Sequence, residues 1–276
     1  MISCPDQPGI VAKVAQFLFN SGANITHSDQ HTTAISGGTF FMRIEFVMDD
    51  LPSRMASLES EFAKLGEPLG INSQFVDASR RKRLTVFVTK EDHCLLELIW
   101  QIQSGDLAAD LVQVIANHDT LQPICTSYGV PFHIIPISSD TKSEAEAAAQ
   151  QLVSGSDFLV LARYMQVLSP NFLERWPHRV INIHHSFLPA FAGANPYKRA
   201  FERGVKLIGA TAHYVTEELD EGPIINQDVE PVDHRQGVAE LRRIGRHIER
   251  TVLAKAVKWH VEDRVIVHEN RTIVFS

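Results

Sequence analysis

Hydrophobic positions recur with two different periods along this 276-residue chain. Within residues 1–79, apolar side chains at helical spacing predict helices over residues 8–22 and 55–65. Residues 38–48 alternate between apolar and polar in the manner of a half-buried strand, and residues 70–78 read as a closing strand. The pattern predicts a small α+β unit in the order strand, helix, strand, strand, helix, strand.

From residue 84 onward, short continuous apolar runs alternate with amphipathic helices. The segments that carry this pattern are residues 84–89, 93–105, 110–117, 131–137, 143–155, 157–162 and 180–183. Such alternation predicts a mostly parallel sheet covered by helices on both faces. The run Arg80-Arg81-Lys82-Arg83 lies between the two patterns, and we interpret it as a solvated linker. The predicted domains are therefore 1–79 and 84–276, with residues 80–83 as the basic linker.

Composition narrows the classes of partner. With 44% hydrophobic and 21% charged residues and a net charge of -7, the chain lacks the basic surface that nucleic acid or an anionic membrane favours. Its apolar runs are far shorter than the ~20 residues that span a bilayer, and no secretion signal precedes them. Three scattered cysteines fit neither a disulfide framework nor a metal motif. We expect a cytoplasmic protein.

Polar side chains crowd the end of the strand at residues 180–183. Asn182 and His184 are two residues apart and should point to one side of the strand, with His185 turned to the other. Ligands bind beyond the carboxyl ends of parallel strands, and an amide with an imidazole there can stabilise charge on a carbonyl oxygen. Asp220, in the loop after the next predicted strand, is the candidate carboxylate that orients His184.

Other interpretations of the same residues stay open. Ser186 and His184 would suit a serine hydrolase, although no G-x-S-x-G elbow surrounds the serine. A zinc site built from His184, His185 and His213 would lack compact ligand spacing. The alternative for His185 and His213 is a structural, hydrogen-bonded role. Three nearby carboxylates are interpreted as solvated loop charges: Glu217, Glu218 and Glu221.

Two longer segments resemble a known family. "NIHHSFLPAFAGANPY" and "GATAHYVTEELDEGPII" carry the N-x-H and D-x-G-x-x-I motifs of the folate-dependent formyltransferase fold. The chain as a whole is similar to the formyltetrahydrofolate deformylases, and "CPDQPGIV" with "GANI" resembles an ACT domain, a small-molecule-sensing module. The resemblance implies an α/β protein with an N-terminal ACT-type, ferredoxin-like α+β domain and a Rossmann-like formyltransferase domain.

The resemblance also implies an activity and its residues. The activity is hydrolysis of 10-formyltetrahydrofolate to formate and tetrahydrofolate, which supplies formate for purine biosynthesis and balances the one-carbon folate pools. The family's catalytic residues fall on Asn182, His184 and Asp220. Its folate-binding segments fall on Met165, Gln166, Val167 and Leu168, and on Val215, Thr216, Glu217, Glu218 and Leu219. No metal or organic cofactor is expected, because the folate itself carries the one-carbon unit.

For the N-terminal domain, the resemblance implies an effector site and self-association. An amino acid is the expected effector, bound near Asp6, Gly9, Asn24 and Ile25. ACT modules pair through strand edges that would otherwise be exposed, so we expect a homo-oligomer.

One segment favours water as the formyl acceptor. Formyltransferases that act on a phosphorylated glycinamide have a Gly/Ser-rich loop after the first strand, which cradles the phosphate. Here the stretch is "VTKEDHCLLEL", without glycine and with Glu91 and Asp92 where the anion would lie. Transfer to another amine and a non-catalytic effector sensor are the rival hypotheses.

Overall fold

The computed structural model describes residues 1–189 and 196–276, so residues 190–195, part of the first family motif, lie outside the described residues. The chain divides into two compact units. Met1–Arg80 forms the first together with Asp263–Ile266 and Ile273–Ser276, and Arg81–Glu262 forms the second together with Val267–Thr272. In the described ranges, no helix combines the length and apolarity needed to cross a membrane.

The first unit has the predicted order of elements. They are β1 (Ile2–Pro5), α1 (Ile10–Asn20), β2 (Asn24–Thr32), β3 (Thr39–Val47), α2 (Leu51–Gly66) and β4 (Asn72–Ser73). The strands form an antiparallel sheet in the order β2-β3-β1-β4. Phe40 and Met42 of β3 pack with Val14 of α1 and Phe62 of α2, which follows from apolar spacing in both helices. At the edge of this sheet, β2 is exposed along most of its length.

The second unit alternates strands and helices before it ends in an antiparallel pair and a long helix. Its elements are β5 (Lys82–Val88), α3 (His93–Ser104), β6 (Ala109–Ala116), α4 (Gln122–Ser127), β7 (Phe132–Ile134), α5 (Lys142–Leu152), β8 (Phe158–Leu161), α6 (Pro170–Leu173), β9 (Val180–His184), α7 (Pro196–Arg203), β10 (Leu207–Tyr214), β11 (Ile224–Pro231) and α8 (Val238–Val261). The chain then ends in the strands β12 (Val265–His268) and β13 (Arg271–Val274).

Seven strands form one sheet in the order β11-β10-β9-β8-β5-β6-β7. The strands from β5 to β9 run parallel, and β10 and β11 are antiparallel. Phe158 of β8 packs on the His260 ring of α8, whereas its neighbour Leu159 clusters with Ala149 of α5 and Phe172 of α6. Successive strand residues face opposite sides, so α8 and the α5–α6 pair cover opposite faces. The predicted mostly parallel sheet is confirmed.

Some boundaries differ from the sequence-based expectation. Lys82 and Arg83 belong to β5, not to a linker, because the Lys82 ammonium donates to the His260 carbonyl at 2.8 Å and the strand pairs with β6 and β8. The strand predicted over residues 70–78 is ordered as a strand only at Asn72–Ser73. The C-terminal pieces 263–266 and 273–276 belong to the first unit, although hydrophobic pattern alone assigned them to the second.

Candidate active site

A cavity of about 600 Å³ opens in the second unit beyond the carboxyl ends of β8 and β9 and beside the loop that follows β10. This size is typical of sites for small organic ligands. The residues that line it include Arg163, Asn182, His184, His185, Tyr197, His213, Asp220 and Glu249. The cavity therefore lies at the edge of the sheet where the sequence places a ligand.

Asn182, His184 and Asp220 meet in this cavity. The period of β9 directs Asn182 and His184 to the same side, and His184 Nδ1 lies 3.1 Å from Asp220 Oδ2. His184 Nε2 is buried and has no hydrogen-bond partner among the described residues. Because the carboxylate fixes the ring through Nδ1, Nε2 is left to contact a ligand.

The electrostatics of the pair favour an ionised carboxylate. The hydrogen bond from His184 lowers the pKa of Asp220, although partial burial opposes it. Asp220 adopts a backbone φ of 58°, in the left-handed region that non-glycine residues seldom occupy. Such conformations concentrate at functional sites, because the surrounding structure has to maintain them.

His213 belongs to the site although its spacing in the sequence gave no signal of this. In the register of β9 and β10, His213 lies opposite Asn182, and its Nε2 is 3.1 Å from the Asn182 Nδ2. Its Nδ1 lies 2.9 Å from the Tyr214 carbonyl, so Nδ1 carries the proton and Nε2 accepts from the amide. Burial lowers the pKa of His213, which keeps the ring neutral. Register between distant strands is what reveals this residue.

The two segments expected to bind folate both border the cavity. Met165, Gln166, Val167 and Leu168 line it from the loop after β8, and from the loop after β10 it is lined by Val215, Thr216, Glu217 and Leu219. Met165, Val167 and Leu219 expose more than half of their surface, an unusual exposure for apolar side chains unless a ligand covers them. Glu218, also expected in this segment, is not among the lining residues; its carbonyl accepts hydrogen bonds from the Thr216 hydroxyl and the Glu221 N–H in a turn.

His185 and Ser186, which follow His184 in the sequence, differ in their position relative to the cavity. His185 lines the cavity instead of turning away from it, because β9 ends at His184 and strand alternation no longer applies. Burial, reinforced by the charge of Arg163, lowers the pKa of His185 to about 4. Ser186 is buried, and within the described ranges it is not among the cavity-lining residues, which disfavours a nucleophilic role.

In the first unit, the residues expected to bind an effector lie at the ends of β1, α1 and β2. Asp6 follows β1 and accepts a 3.0 Å hydrogen bond from the Thr32 hydroxyl, while Asn24 and Ile25 begin the exposed edge strand β2. Gly9 adopts φ 90° before α1, and a side chain there would meet no atom within 4 Å. The space at Gly9 is open to a ligand, but no contact among these residues defines one.

Comparisons with known proteins identify relatives over the full chain. Residues 82–257 match the formyl transferase family and residues 1–62 match the ACT domain. The formyltetrahydrofolate deformylase of Bacillus subtilis is 55% identical, covering 100% of this chain and 93% of its own. The crystal structure of a formyltetrahydrofolate deformylase from Pseudomonas syringae pv. tomato is 44% identical, with a TM-score of 0.95 over 100% of this chain and 93% of that one.

A more distant relative shares the second unit's fold. Glycinamide ribonucleotide transformylase 1 from Symbiobacterium toebii is 28% identical, with a TM-score of 0.68 over 74% of this chain and 98% of its own. The predicted fold class, an ACT-type domain followed by a formyltransferase domain, is confirmed by these matches.

Proposed function

The chain belongs to the formyltetrahydrofolate deformylase family within the formyl transferases, and we propose that Asn182, His184 and Asp220 carry its reaction. The reaction is hydrolysis of 10-formyltetrahydrofolate to formate and tetrahydrofolate. The observation that supports this assignment most directly is the 3.1 Å contact between His184 and Asp220 in a cavity that Asn182 also lines.

In the proposed mechanism, the Asn182 amide and His184 Nε2 donate hydrogen bonds to the formyl oxygen. Water attacks the formyl carbon, and the two donors stabilise the tetrahedral oxyanion. The bond from carbon to N10 then breaks, N10 takes up one proton from the attacking water, and formate and tetrahydrofolate leave with the second proton released. Asp220 orients His184 and positions the water.

The two folate segments hold the pterin between them in this proposal. Their exposed apolar side chains Met165, Val167 and Leu219 provide the contact surface for the rings. Water as the acceptor is consistent with the loop after β5, which has no glycine that would let backbone amides approach a phosphate closely. No metal or organic cofactor takes part, so treatment with a chelator should leave turnover unchanged.

The first test is release of formate and tetrahydrofolate from 10-formyltetrahydrofolate without any amine acceptor. Wild-type protein should release both products. Asp220→Ala should lower the turnover rate by at least two to three orders of magnitude, because loss of a single oxyanion donor already costs ~3 kcal/mol of transition-state stabilisation. Asn182→Ala should lose a similar amount. Asp228→Asn, an exposed carboxylate on β11, is the matched control and should keep wild-type turnover.

Each contrary result has a defined meaning. Near-full activity in Asp220→Asn would remove Asp220 from the mechanism. If wild-type protein releases no formate, folate binding without turnover would favour the sensor hypothesis, and formylation of an added amine would favour transfer.

We further propose that the first unit senses an amino acid and pairs two copies of the chain through β2. The support is the position of β2 at the sheet edge, exposed along most of its nine residues, since unpaired strand edges favour pairing. Light scattering at micromolar concentration should give an oligomer, and a monomer would contradict this.

We also propose that the protein is located in the cytoplasm.

A further inference from the structure

A buried cluster of polar side chains forms one wall of the cavity, apart from the three proposed catalytic residues. Its centre is Glu249 of α8, whose side chain is only 1% exposed. One carboxylate oxygen accepts from the Tyr197 hydroxyl at 2.6 Å, and the other lies 2.8 Å from His93 Nε2 and 3.4 Å from Arg163 Nε. Three other segments of the second unit thus converge on one carboxylate of α8.

The cluster is held as an ionic network. Burial by itself would raise the pKa of Glu249, but the hydrogen bond from His93, the charge of Arg163 and the Tyr197 hydroxyl outweigh it and lower the pKa. Burial and the carboxylate together raise the pKa of Tyr197, so the phenol stays a donor. A buried carboxylate with partners on both oxygens resists displacement, because loss of one partner would leave an uncompensated charge.

A metal ion is a poorer explanation of the same residues. Ligand atoms of His93, Cys94 and Glu249 lie within 4.8 Å of one another. However, burial and nearby carboxylates raise the pKa of the Cys94 thiol well above its usual value, which disfavours the thiolate that a metal would need. The Arg163 guanidinium beside Glu249 would also repel a cation.

Two features of the backbone, at Gly245 and at Arg163, allow these side chains to come together. Gly245 precedes Glu249 by one helical turn on α8, and a Cβ at Gly245 would lie 2.0 Å from the Tyr197 hydroxyl. Tyr197 therefore reaches Glu249 only because residue 245 has no side chain. Arg163 adopts φ 61°, a left-handed conformation that glycine would take without strain, yet the residue is an arginine whose side chain is mostly buried.

The order of the sheet places this wall next to the proposed catalytic residues, on the side of β8 and β5. His184 ends β9 and Asp220 follows β10, whereas Arg163 follows β8 and His93 begins α3 immediately after the loop that follows β5. Since the strands lie in the order β10-β9-β8-β5, the cluster occupies the side of the cavity at the β5 end. Arg163 Nη1 is buried there without a hydrogen-bond partner in the described part of the chain.

We propose that Arg163, held by Glu249, Tyr197 and His93, is the specificity determinant that restricts the formyl acceptor to water. The inference rests on the proposed hydrolysis and deepens it. Arg163, Tyr197 and Glu249 line the cavity, and Arg163 Nη1, which has no hydrogen-bond partner among the described residues, can donate to a water oxygen. A protonated amine has no lone pair with which to attack the formyl carbon, and a neutral amine with a carbon substituent needs more space beside the guanidinium than water does.

Opening the wall should permit a second reaction from the same complex. The nitrogen of a small amine attacks the formyl carbon, the bond from carbon to N10 breaks, and N10 takes up the proton that the amine loses. The products are a formamide and tetrahydrofolate, in place of formate and tetrahydrofolate.

The variant that tests this is Arg163→Gly/Glu249→Gln. Glycine suits the backbone at position 163, and the second change removes the carboxylate that would otherwise be left without its arginine. Each protein is given 10-formyltetrahydrofolate and glycinamide, and formate and N-formylglycinamide are quantified by mass spectrometry. We expect the ratio of formylglycinamide to formate to rise at least about tenfold over wild type, which corresponds to about 1.4 kcal/mol between the two barriers.

The ratio is independent of folate affinity, because both acceptors react with the same bound folate. Tyr197→Ala should shift the ratio in the same direction and serves if the double variant fails to fold. Tyr128→Ala, a half-exposed tyrosine at the end of α4, and Glu240→Gln/Arg243→Gly, an exposed ion pair on α8, are the matched controls and should retain the wild-type ratio. Reactions with Asp220→Ala measure the non-enzymatic background.

Three outcomes would overturn the proposal. The first is an unchanged ratio in folded variants that still hydrolyse the folate, and the second is formylglycinamide formation by the wild type at a rate comparable with its formate release. The third is loss of both reactions in every folded variant, which would assign the cluster to the hydrolysis itself. Failure of the proposed function is recognised separately, by absence of formate release from wild-type protein without glycinamide.

Discussion

At the scale of single residues, the orientation of the Asn182 amide decides whether it presents a hydrogen-bond donor to a ligand. An amide side chain presents a donor and an acceptor, and only the donor can stabilise an oxyanion. His213 fixes this choice: its Nδ1–H donates to the Tyr214 carbonyl at 2.9 Å, and its Nε2 accepts from the Asn182 Nδ2 at 3.1 Å. The amide nitrogen is thereby oriented, and its second N–H remains for a ligand.

His213→Leu should therefore reduce kcat about fivefold to tenfold, the ~1 kcal/mol of one hydrogen bond, with little change in KM. His213→Gln, which can again offer an acceptor, should recover part of the loss. Steady-state kinetics of both variants check this. A rise in KM alone, or equal loss in both variants, would mean that His213 only fills space.

At the scale of elements, the loop between β10 and β11 carries Asp220 to His184. The loop is closed where the Tyr214 N–H donates to the Pro223 carbonyl at 2.9 Å, next to a register shift between Ala212 and His213. Gly222 lies inside this closure, and a Cβ there would be 1.8 Å from the Tyr214 carbonyl oxygen. The backbone oxygen cannot yield as a flexible side chain would, so the loop itself would have to move.

Gly222→Ala should displace Asp220 and lower kcat by at least about tenfold, with a stability loss of roughly 1–3 kcal/mol from overpacking. Gly237→Ala at the start of α8, where a side chain would meet nothing within 4 Å, is the control and should be tolerated. Kinetics and urea unfolding of the pair measure both effects. Wild-type kcat in Gly222→Ala would show that the loop position is not critical.

For the whole second unit, buried neutral histidines connect stability to pH. Burial lowers the pKa of His178, His185, His213 and His260, and for His260 the value falls from 6.5 to about 3. His260 packs on Phe158, and its Nδ1 lies 2.9 Å from the Tyr214 hydroxyl. Water therefore has no space to solvate the charge of a protonated ring. The unfolded chain binds this proton below about pH 6.5 and the folded chain does not.

The stability that His260 contributes is thus complete above about pH 6.5 and decreases as the pH falls toward about 3. Between about pH 7.5 and pH 5, its part of the loss should be about 2 kcal/mol. His260→Asn should lower stability at neutral pH through packing but show a shallower decline with acid. Urea unfolding at several pH values checks this, and parallel slopes for the two proteins would refute it.

Much of the fold followed from sequence because periodicity reports which face of an element is buried. The segment 84–89 was predicted as a buried strand because it is short and rich in β-branched and aromatic residues, and α1 was expected to bury Val14 and Leu18 because of their helical spacing. The same rule placed Asn182 and His184 on one side of β9. Boundaries set by partners distant in sequence were not visible, as Lys82 shows, since its strand pairing and its bond to His260 involve residues far along the chain.

The sequence by itself therefore determined the order of elements, the parallel sheet and the motif that supplies Asn182, His184 and Asp220, because each of these is a local pattern or a local motif. Only the tertiary structure decided that His213 pairs with Asn182 and that Glu249 gathers His93, Arg163 and Tyr197. Those groupings depend on strand register and on helix packing over long sequence separations. No local period encodes them, although the proposed specificity of the site depends on them.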